Sequence, residues 1–88
     1  MQFTFDPAKA AANLKKHGVS FADAEGVLSD PLAITIEDCD AIGEQRFIAI
    51  GRGNASELLV VIFTERGGTC RLISARRATK KERIQYES

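Results

Sequence analysis

A run of six apolar residues near the middle of the chain, Leu58 to Phe63, places the strongest constraint on the fold. Because both alternating sets of side chains are apolar, the predicted strand Leu58 to Glu65 has two apolar faces, and such a strand lies centrally in a sheet that is covered on both sides. The run is far shorter than the roughly 18 residues that a membrane helix needs. In a chain of 88 residues, this pattern predicts one domain, residues 1–88, with a single core.

Turn signals and alternating residues place other strands around the central one. Gly67 and Gly68 predict a two-residue hairpin, because both central positions of a type I′ turn need positive φ. The acidic stretch Glu37 to Glu44 predicts a loop. The additional strands are predicted at Gln2 to Phe5, Leu32 to Ile36, Arg46 to Arg52 and Thr69 to Arg76.

Three segments carry the start and stop signals of helices. The first follows Asp6-Pro7 and ends at Gly18, and the second follows Ser20 and ends at Asp30-Pro31. A capping-box pattern at Thr79 to Glu82 begins a third helix that ends near Tyr86. The predicted fold class is therefore α+β: a small antiparallel sheet with two N-terminal helices and one C-terminal helix.

The formal net charge is zero, yet the charges are unevenly distributed. Residues 1–44 hold three lysines against eight acidic residues, and residues 45–88 hold nine basic residues against four acidic ones. This asymmetry points to an anionic partner for the C-terminal half. Cys39 and Cys70 are too few for a secreted disulfide scaffold or a zinc site, and no signal segment opens the chain, so we expect two unpaired thiols in a cytoplasmic protein.

The basic residues concentrate between Arg66 and Arg83, with Glu82 as the one acidic residue among them. Guanidinium groups match phosphate oxygens, and a helix N-terminus after Arg76 and Arg77 also favours an anion. The cluster predicts a phosphate-binding edge. A solvated charged face fits the same pattern, and the pattern does not separate nucleic acid from an acidic protein.

The first helix has a polar face on which Lys9, Asn13, Lys16 and His17 fall. His17 fits a general acid or base, although a histidine at a helix C-terminus commonly interacts with the helix dipole. Tyr86 fits base stacking, and packing of its ring on the sheet is an equal alternative.

Two blocks of the chain resemble the BrnT toxin family of type II toxin–antitoxin systems. The matching residues are Phe3 to Asp6, Lys9, Asn13, Lys16 to Val19, Phe21 and Ala24 in the first block, and Arg71 to Ala78, Glu82 and Tyr86 in the second. Phe5 stands where the family commonly has tryptophan, which keeps an aromatic anchor.

The resemblance implies a RelE-like fold and a bacterial cytoplasmic ribonuclease that blocks translation. It also implies a BrnA-like ribbon-helix-helix antitoxin as partner, with DNA contacted only through that antitoxin. No cofactor, metal or membrane is expected.

A metal-independent ribonuclease needs cations around the scissile phosphate and groups that move protons. We assign catalysis to Lys16, His17, Arg52, Arg76 and Tyr86. We assign RNA-phosphate binding to Arg46, Arg71, Arg77, Lys80, Lys81 and Arg83. The alternative is a non-catalytic basic module that binds RNA or an antitoxin.

Overall fold

A computed structural model of the protein describes residues 2–38 and 45–88. Its elements, in chain order, are β1 (Gln2–Phe5), α1 (Pro7–His17), α2 (Phe21–Leu28), β2 (Ile34–Glu37), β3 (Arg46–Arg52), β4 (Leu58–Arg66), β5 (Thr69–Arg77) and α3 (Lys80–Glu87). The predicted order and types of these elements are confirmed.

The second strand begins two residues later than predicted and includes Glu37, which the sequence placed in the acidic loop. The cause is Asp30, which accepts a hydrogen bond from the Leu32 amide through Oδ1 at 2.9 Å and one from the Ala33 amide through its carbonyl at 3.1 Å. These bonds hold the chain in a turn before it can extend. The remainder of the predicted loop, with Cys39, falls at 39–44, outside the described residues.

The five strands form one sheet in the order β1-β5-β4-β3-β2. β2 to β5 pair consecutively in antiparallel fashion, as predicted, and β4 is the central strand of the five. β1 pairs in parallel with β5, over Gln2–Thr69 to Phe5–Leu72, so the sheet is mixed. The α+β class is confirmed, and the parallel edge is a feature that the local sequence did not indicate.

The helix ends follow the capping residues that the sequence marks. The Asp6 carboxylate accepts a hydrogen bond from the Ala8 amide at 2.9 Å, and Ser20 Oγ accepts one from the Asp23 amide at 3.1 Å. Gly18 adopts φ 69°, a left-handed conformation that ends α1, and its N–H donates to the Leu14 carbonyl at 2.8 Å. The sharp end of α1 turns the chain directly into α2.

Helices α1 and α2 cover one face of the sheet and enclose the main core. Its fully buried residues include Val27, Leu59, Val61, Cys70 and Leu72. Phe5 is 40% exposed, but its ring meets that of buried Phe21 edge to face with centroids 5.5 Å apart, so this position keeps an aromatic contact with the core.

Helix α3 covers one end of the opposite sheet face. Ile50, Leu58 and Val60 form a smaller buried cluster there, with Ala78 and Tyr86 against it. None of the eight residues of α3 is itself buried, so polar contacts have a large share in holding this helix. In the part of the chain that the structure describes, every helix is too short or too polar to cross a lipid bilayer.

Candidate functional site

Three arginines surround a cavity at the end of the sheet where β3 and β5 finish. The cavity has a volume of about 270 Å³ and is lined by Arg52, Ser56, Glu57, Leu58, Arg77, Ala78 and Arg83. Arg52 ends β3, Arg77 ends β5, and Arg83 lies on α3. Because three cations from separate elements converge on one space, the cavity suits an anion.

The turn after β3 is anchored to α2, which determines where Arg52 lies. The Asn54 amide donates to the Asp23 carbonyl at 3.0 Å, and the Asn54 side chain donates to the Ala22 carbonyl at 2.8 Å. Close approach requires glycine in α2, since a Cβ on Gly26 would lie 2.5 Å from the Asn54 nitrogen. Arg52 then folds across this turn and donates from Nη1 to the Ser56 carbonyl at 2.9 Å.

We call this space, which is lined by Arg52, Arg77 and Arg83, the arginine cavity. Arg77 connects it with the end of α1. Its Nη1 donates to the His17 carbonyl at 3.1 Å, and its Nε forms an ion pair with Glu57 Oε2 at 3.2 Å. Both side chains of this pair are at least half exposed, so the pair is accessible to a competing anion.

Arg76 is engaged by Glu82 in a two-pronged ion pair. Arg76 Nη1 and Nη2 donate to Glu82 Oε1 and Oε2 at 2.7 and 2.8 Å. Glu82 also completes the predicted capping box, because it accepts from the Thr79 amide at 2.8 Å. The ion pair with Arg76 lowers the pKa of Glu82 to about 2 and raises the pKa of Arg76. Arg76 thus fastens the start of α3 to the end of β5.

Tyr86 is held by Asp30, which in the sequence marks only the end of the second helix. The Tyr86 hydroxyl donates to Asp30 Oδ2 at 2.7 Å, and the same oxygen accepts the Arg52 amide at 2.9 Å. The bond from the Arg52 amide, followed by that from Tyr86, lowers the pKa of Asp30, while the bond to Asp30 raises the pKa of Tyr86. The Arg52 guanidinium lies over the Tyr86 ring, 5.8 Å from its centroid.

A second cavity, of about 240 Å³, lies beside α1 and β5, and we call it the α1 cavity. It is lined by Lys9, Ala12, Asn13, Lys16, His17, Ile73 and Ser74. The four residues predicted to share the polar face of α1 therefore do line one space. Asn13 differs from the other three because it is buried and its amide bonds the carbonyls of Val19 and Ala75 at 3.0 and 2.8 Å.

The predicted site residues thus fall into a joined group and a separate one. Lys16 and His17 line the α1 cavity, Arg52, Arg77 and Arg83 line the arginine cavity, and the Arg77 to His17 bond joins the two. Arg46 and Arg71 lie toward the other end of the sheet, where both pair with Thr64 on β4. Lys80 and Lys81 are exposed in the first turn of α3.

Asp30, Asn13 and Glu57 are the site residues whose structural roles the sequence did not reveal. The partners of Asp30 lie 22 and 56 residues away in sequence, and the Ala75 partner of Asn13 lies 62 residues away. No local spacing signals such contacts. The one available clue was Asn13 itself, an amide on a helix face that was otherwise charged.

Comparison with known proteins agrees with this arrangement of elements. No curated protein sequence matches the chain. The crystal structure of the Brucella abortus ribonuclease toxin BrnT superposes with a TM-score of 0.69 and 32% sequence identity, over 91% of this chain and 99% of that chain. A family model described as "Ribonuclease toxin, BrnT, of type II toxin-antitoxin system" matches residues 5–82. The chain therefore belongs to the BrnT family of ribonuclease toxins.

Proposed function

We propose that this toxin cleaves RNA without a metal ion, at the junction of the arginine cavity and the α1 cavity. The observation that carries the proposal is the hydrogen bond from Arg77 to the His17 carbonyl, which joins three arginines to the lysine and the imidazole on α1. Cations for a phosphate and groups that transfer protons are thereby adjacent.

The reaction that fits these groups is an attack of a ribose 2′-hydroxyl on its own neighbouring phosphate. The bond from O2′ to phosphorus forms and the bond from phosphorus to O5′ breaks, which leaves a 2′,3′-cyclic phosphate and a 5′-hydroxyl. A base takes the proton of the 2′-hydroxyl, and an acid supplies a proton to O5′. Negative charge builds on the phosphate oxygens between these steps, so nearby cations lower the barrier.

Arg52, Arg77 and Arg83 are assigned to the phosphate charge. Arg77 is central, because it lies between the two cavities and its ion pair with Glu57 is exposed to solvent. A phosphate can replace Glu57 as the partner of its guanidinium. Lys80 and Lys81, exposed on the first turn of α3, extend the basic surface for flanking phosphates.

His17 and Lys16 are assigned to proton transfer and to the charge near the 2′-hydroxyl. An imidazole both accepts and donates a proton near neutral pH, whereas the lysine ammonium serves as a cation. Tyr86 is assigned to base stacking through its ring, because its hydroxyl already donates a hydrogen bond to Asp30. The Arg52 guanidinium lies over the same ring.

Arg76 was predicted to contact the phosphate, and its geometry supports an indirect role. Both of its terminal nitrogens are engaged by Glu82. We therefore assign Arg76 to the placement of α3, which carries Arg83 and Tyr86, and its direct contact with RNA stays a prediction.

In the cell, the proposed consequence is degradation of RNA that translation requires, in the cytoplasm where that RNA is found. The membership in a toxin–antitoxin family supports a dedicated antitoxin as the neutralising partner. We propose that this antitoxin is a ribbon-helix-helix protein of the BrnA type and that DNA is contacted through it alone.

The deciding experiment incubates antitoxin-free protein with end-labelled RNA in excess EDTA. Cleavage in EDTA that yields 2′,3′-cyclic phosphate ends is expected, and Arg77→Ala is expected to slow it about 100-fold. Cleavage by Lys16→Ala is measured as well, and Lys15→Ala is its matched control because Lys15 lines neither cavity. Activity that EDTA abolishes and Mg²⁺ restores would refute the mechanism, and so would full activity of the Arg77 variant.

A further inference from the structure

The residues that the structure describes, 2–38 and 45–88, cover one face of the sheet only in part. We call it the open face: the side that α3 covers at one end, opposite the side that packs against α1 and α2. Residues that are paired across neighbouring strands form rows on this face. Ile36, Ile48, Ile62 and Ser74 form one row across β2 to β5, and Arg46, Thr64, Arg71 and Thr4 form the next, across β3 to β1.

The part of the open face near the β2 edge is apolar. A cavity of about 260 Å³ is lined by Ile34, Ile36, Ile48, Ile50, Gln85 and Ser88. Ile34 and Ile36 lie on the edge strand and remain 37% and 58% exposed. Large apolar side chains that are exposed side by side, rather than scattered, are typical of a protein-binding surface.

The part of the open face farther from α3 is basic. Arg66 and Arg71 line a cavity of about 330 Å³ together with Thr4, Thr64 and Thr69. Arg46 lies in the same row as Arg71, with Thr64 buried between them. A strand rises about 3.3 Å per residue, so this row lies roughly 7 Å from the isoleucine row. A single extended or helical segment of a partner can contact both rows.

We propose that the open face binds the antitoxin, through an amphipathic segment with apolar side chains in the isoleucine cavity and carboxylates on the arginine row. The proposal rests on membership in a toxin–antitoxin family. It gives to the antitoxin Arg46 and Arg71, for which the sequence predicted RNA-phosphate binding, and it leaves the two cavities assigned to RNA cleavage unchanged because neither residue lines them.

The chemistry of the face favours this occupant over two others. RNA would pair with the arginines, but it has no apolar side chains with which to cover Ile34, Ile36 and Ile48. A second copy of this chain would bring the same excess of arginine to the contact, and like charges oppose such packing. An acidic and apolar protein segment complements both halves of the face.

The test measures the dissociation constant between this toxin and its separately purified cognate antitoxin by titration calorimetry. Ile36→Glu places a carboxylate in the apolar cavity and is expected to weaken binding at least 30-fold, as a central interface residue does. Ile36→Thr keeps a β-branched side chain suited to a strand, and a smaller loss is expected. Arg71→Glu is expected to weaken binding, with the effect decreasing at high salt.

Leu14→Glu is the matched control, because Leu14 is 52% exposed on α1 and lies on the other side of the sheet. Its dissociation constant is expected to stay within about twofold of the parent value. RNA cleavage by free Ile36→Glu is expected to be unchanged, which separates this inference from the catalytic proposal. The inference is overturned if both Ile36 variants bind the antitoxin with the parent affinity. It is also overturned if Ile36→Glu loses no more affinity than Leu14→Glu does.

Hydrogen exchange on the parent complex gives a test that needs no substitution. Binding at the open face is expected to slow amide exchange in β2 and β3, relative to the free toxin, more than in α1. Protection confined to α1 and the arginine cavity would place the antitoxin elsewhere and overturn the inference.

Discussion

The side chain of Asn13 pairs with the backbone of Ala75 as a neighbouring strand would. Asn13 Nδ2 donates to the Ala75 carbonyl at 2.8 Å, and Asn13 Oδ1 accepts the Ala75 amide at 3.1 Å. β1 pairs with β5 only as far as Leu72, so the helix supplies the hydrogen bonds where that strand has ended. This contact fixes α1, and with it Lys16 and His17, against the end of β5.

Replacement of Asn13 should therefore destabilise the fold. Asn13→Ala leaves the amide and carbonyl of buried Ala75 without partners, and we expect a loss of about 3 kcal/mol in the free energy of unfolding. Urea unfolding measures it. The matched control is Asn54→Ala, which removes one exposed amide bond to Ala22 and should cost about 1 kcal/mol or less. Equal losses in both variants would contradict the structural role of Asn13.

The Arg76 to Glu82 pair should make stability depend on acid pH. The folded-state pKa of Glu82, about 2, lies below the ordinary value of 4.5, so the stabilisation is complete above about pH 4.5 and is lost as the pH falls toward 2. We expect about 2 kcal/mol, a figure reduced from the full shift because Arg76 is partly exposed and screened by solvent.

Urea unfolding at a series of pH values between 7 and 3 tests this. Glu82→Gln should be less stable than the parent at pH 7, and the difference should shrink as the pH falls. Glu57→Gln, which breaks the exposed pair with Arg77, should change stability by no more than about 0.5 kcal/mol. If the free energies of unfolding of Glu82→Gln and the parent differed by the same amount at every pH, the ion pair would not be the source of the pH dependence.

Substitutions of the two residues in this ion pair distinguish an indirect role of Arg76 from direct contact with RNA. If Arg76 acts by holding Glu82, then Arg76→Ala, Glu82→Ala and the double variant should all slow RNA cleavage by a similar factor. We expect this result, because both terminal nitrogens of Arg76 are engaged. A far larger loss in Arg76→Ala than in Glu82→Ala would instead show that the guanidinium contacts the substrate.

Tyr86 combines a ring under Arg52 with a hydroxyl bound to Asp30, and two substitutions separate these contacts. Tyr86→Phe should raise the pKa of Asp30 toward its ordinary value, because one of the bonds that lower it is removed. Titration of the Asp30 carboxyl by NMR measures that change.

Cleavage rates then report on the ring. Tyr86→Phe should retain most of the activity, whereas Tyr86→Ala should lose about tenfold through loss of stacking. Equal losses in the two variants would assign the effect to the hydroxyl.

Local residue patterns accounted for most of the fold. Asp6-Pro7, Gly18, Ser20 and Thr79 mark helix ends because caps satisfy backbone groups within a few residues. The run Leu58 to Phe63 marked the central strand for a similar reason, since apolar side chains on both faces must both be covered. Such information is present in short segments and needs no knowledge of the chain's path.

The sequence by itself thus determined the order of elements, the excess of basic residues in the C-terminal half and the family resemblance. Only the tertiary structure decided that β1 pairs in parallel with β5, that Asp30 holds Tyr86, and that Arg76 faces Glu82 while Arg77 reaches His17. Except for the Arg76 to Glu82 pair, these contacts join residues 56 to 67 positions apart, and packing of helices and strands selects them. Even Arg76 and Arg77, adjacent in the sequence, have different partners because neighbouring side chains of a strand point to opposite faces.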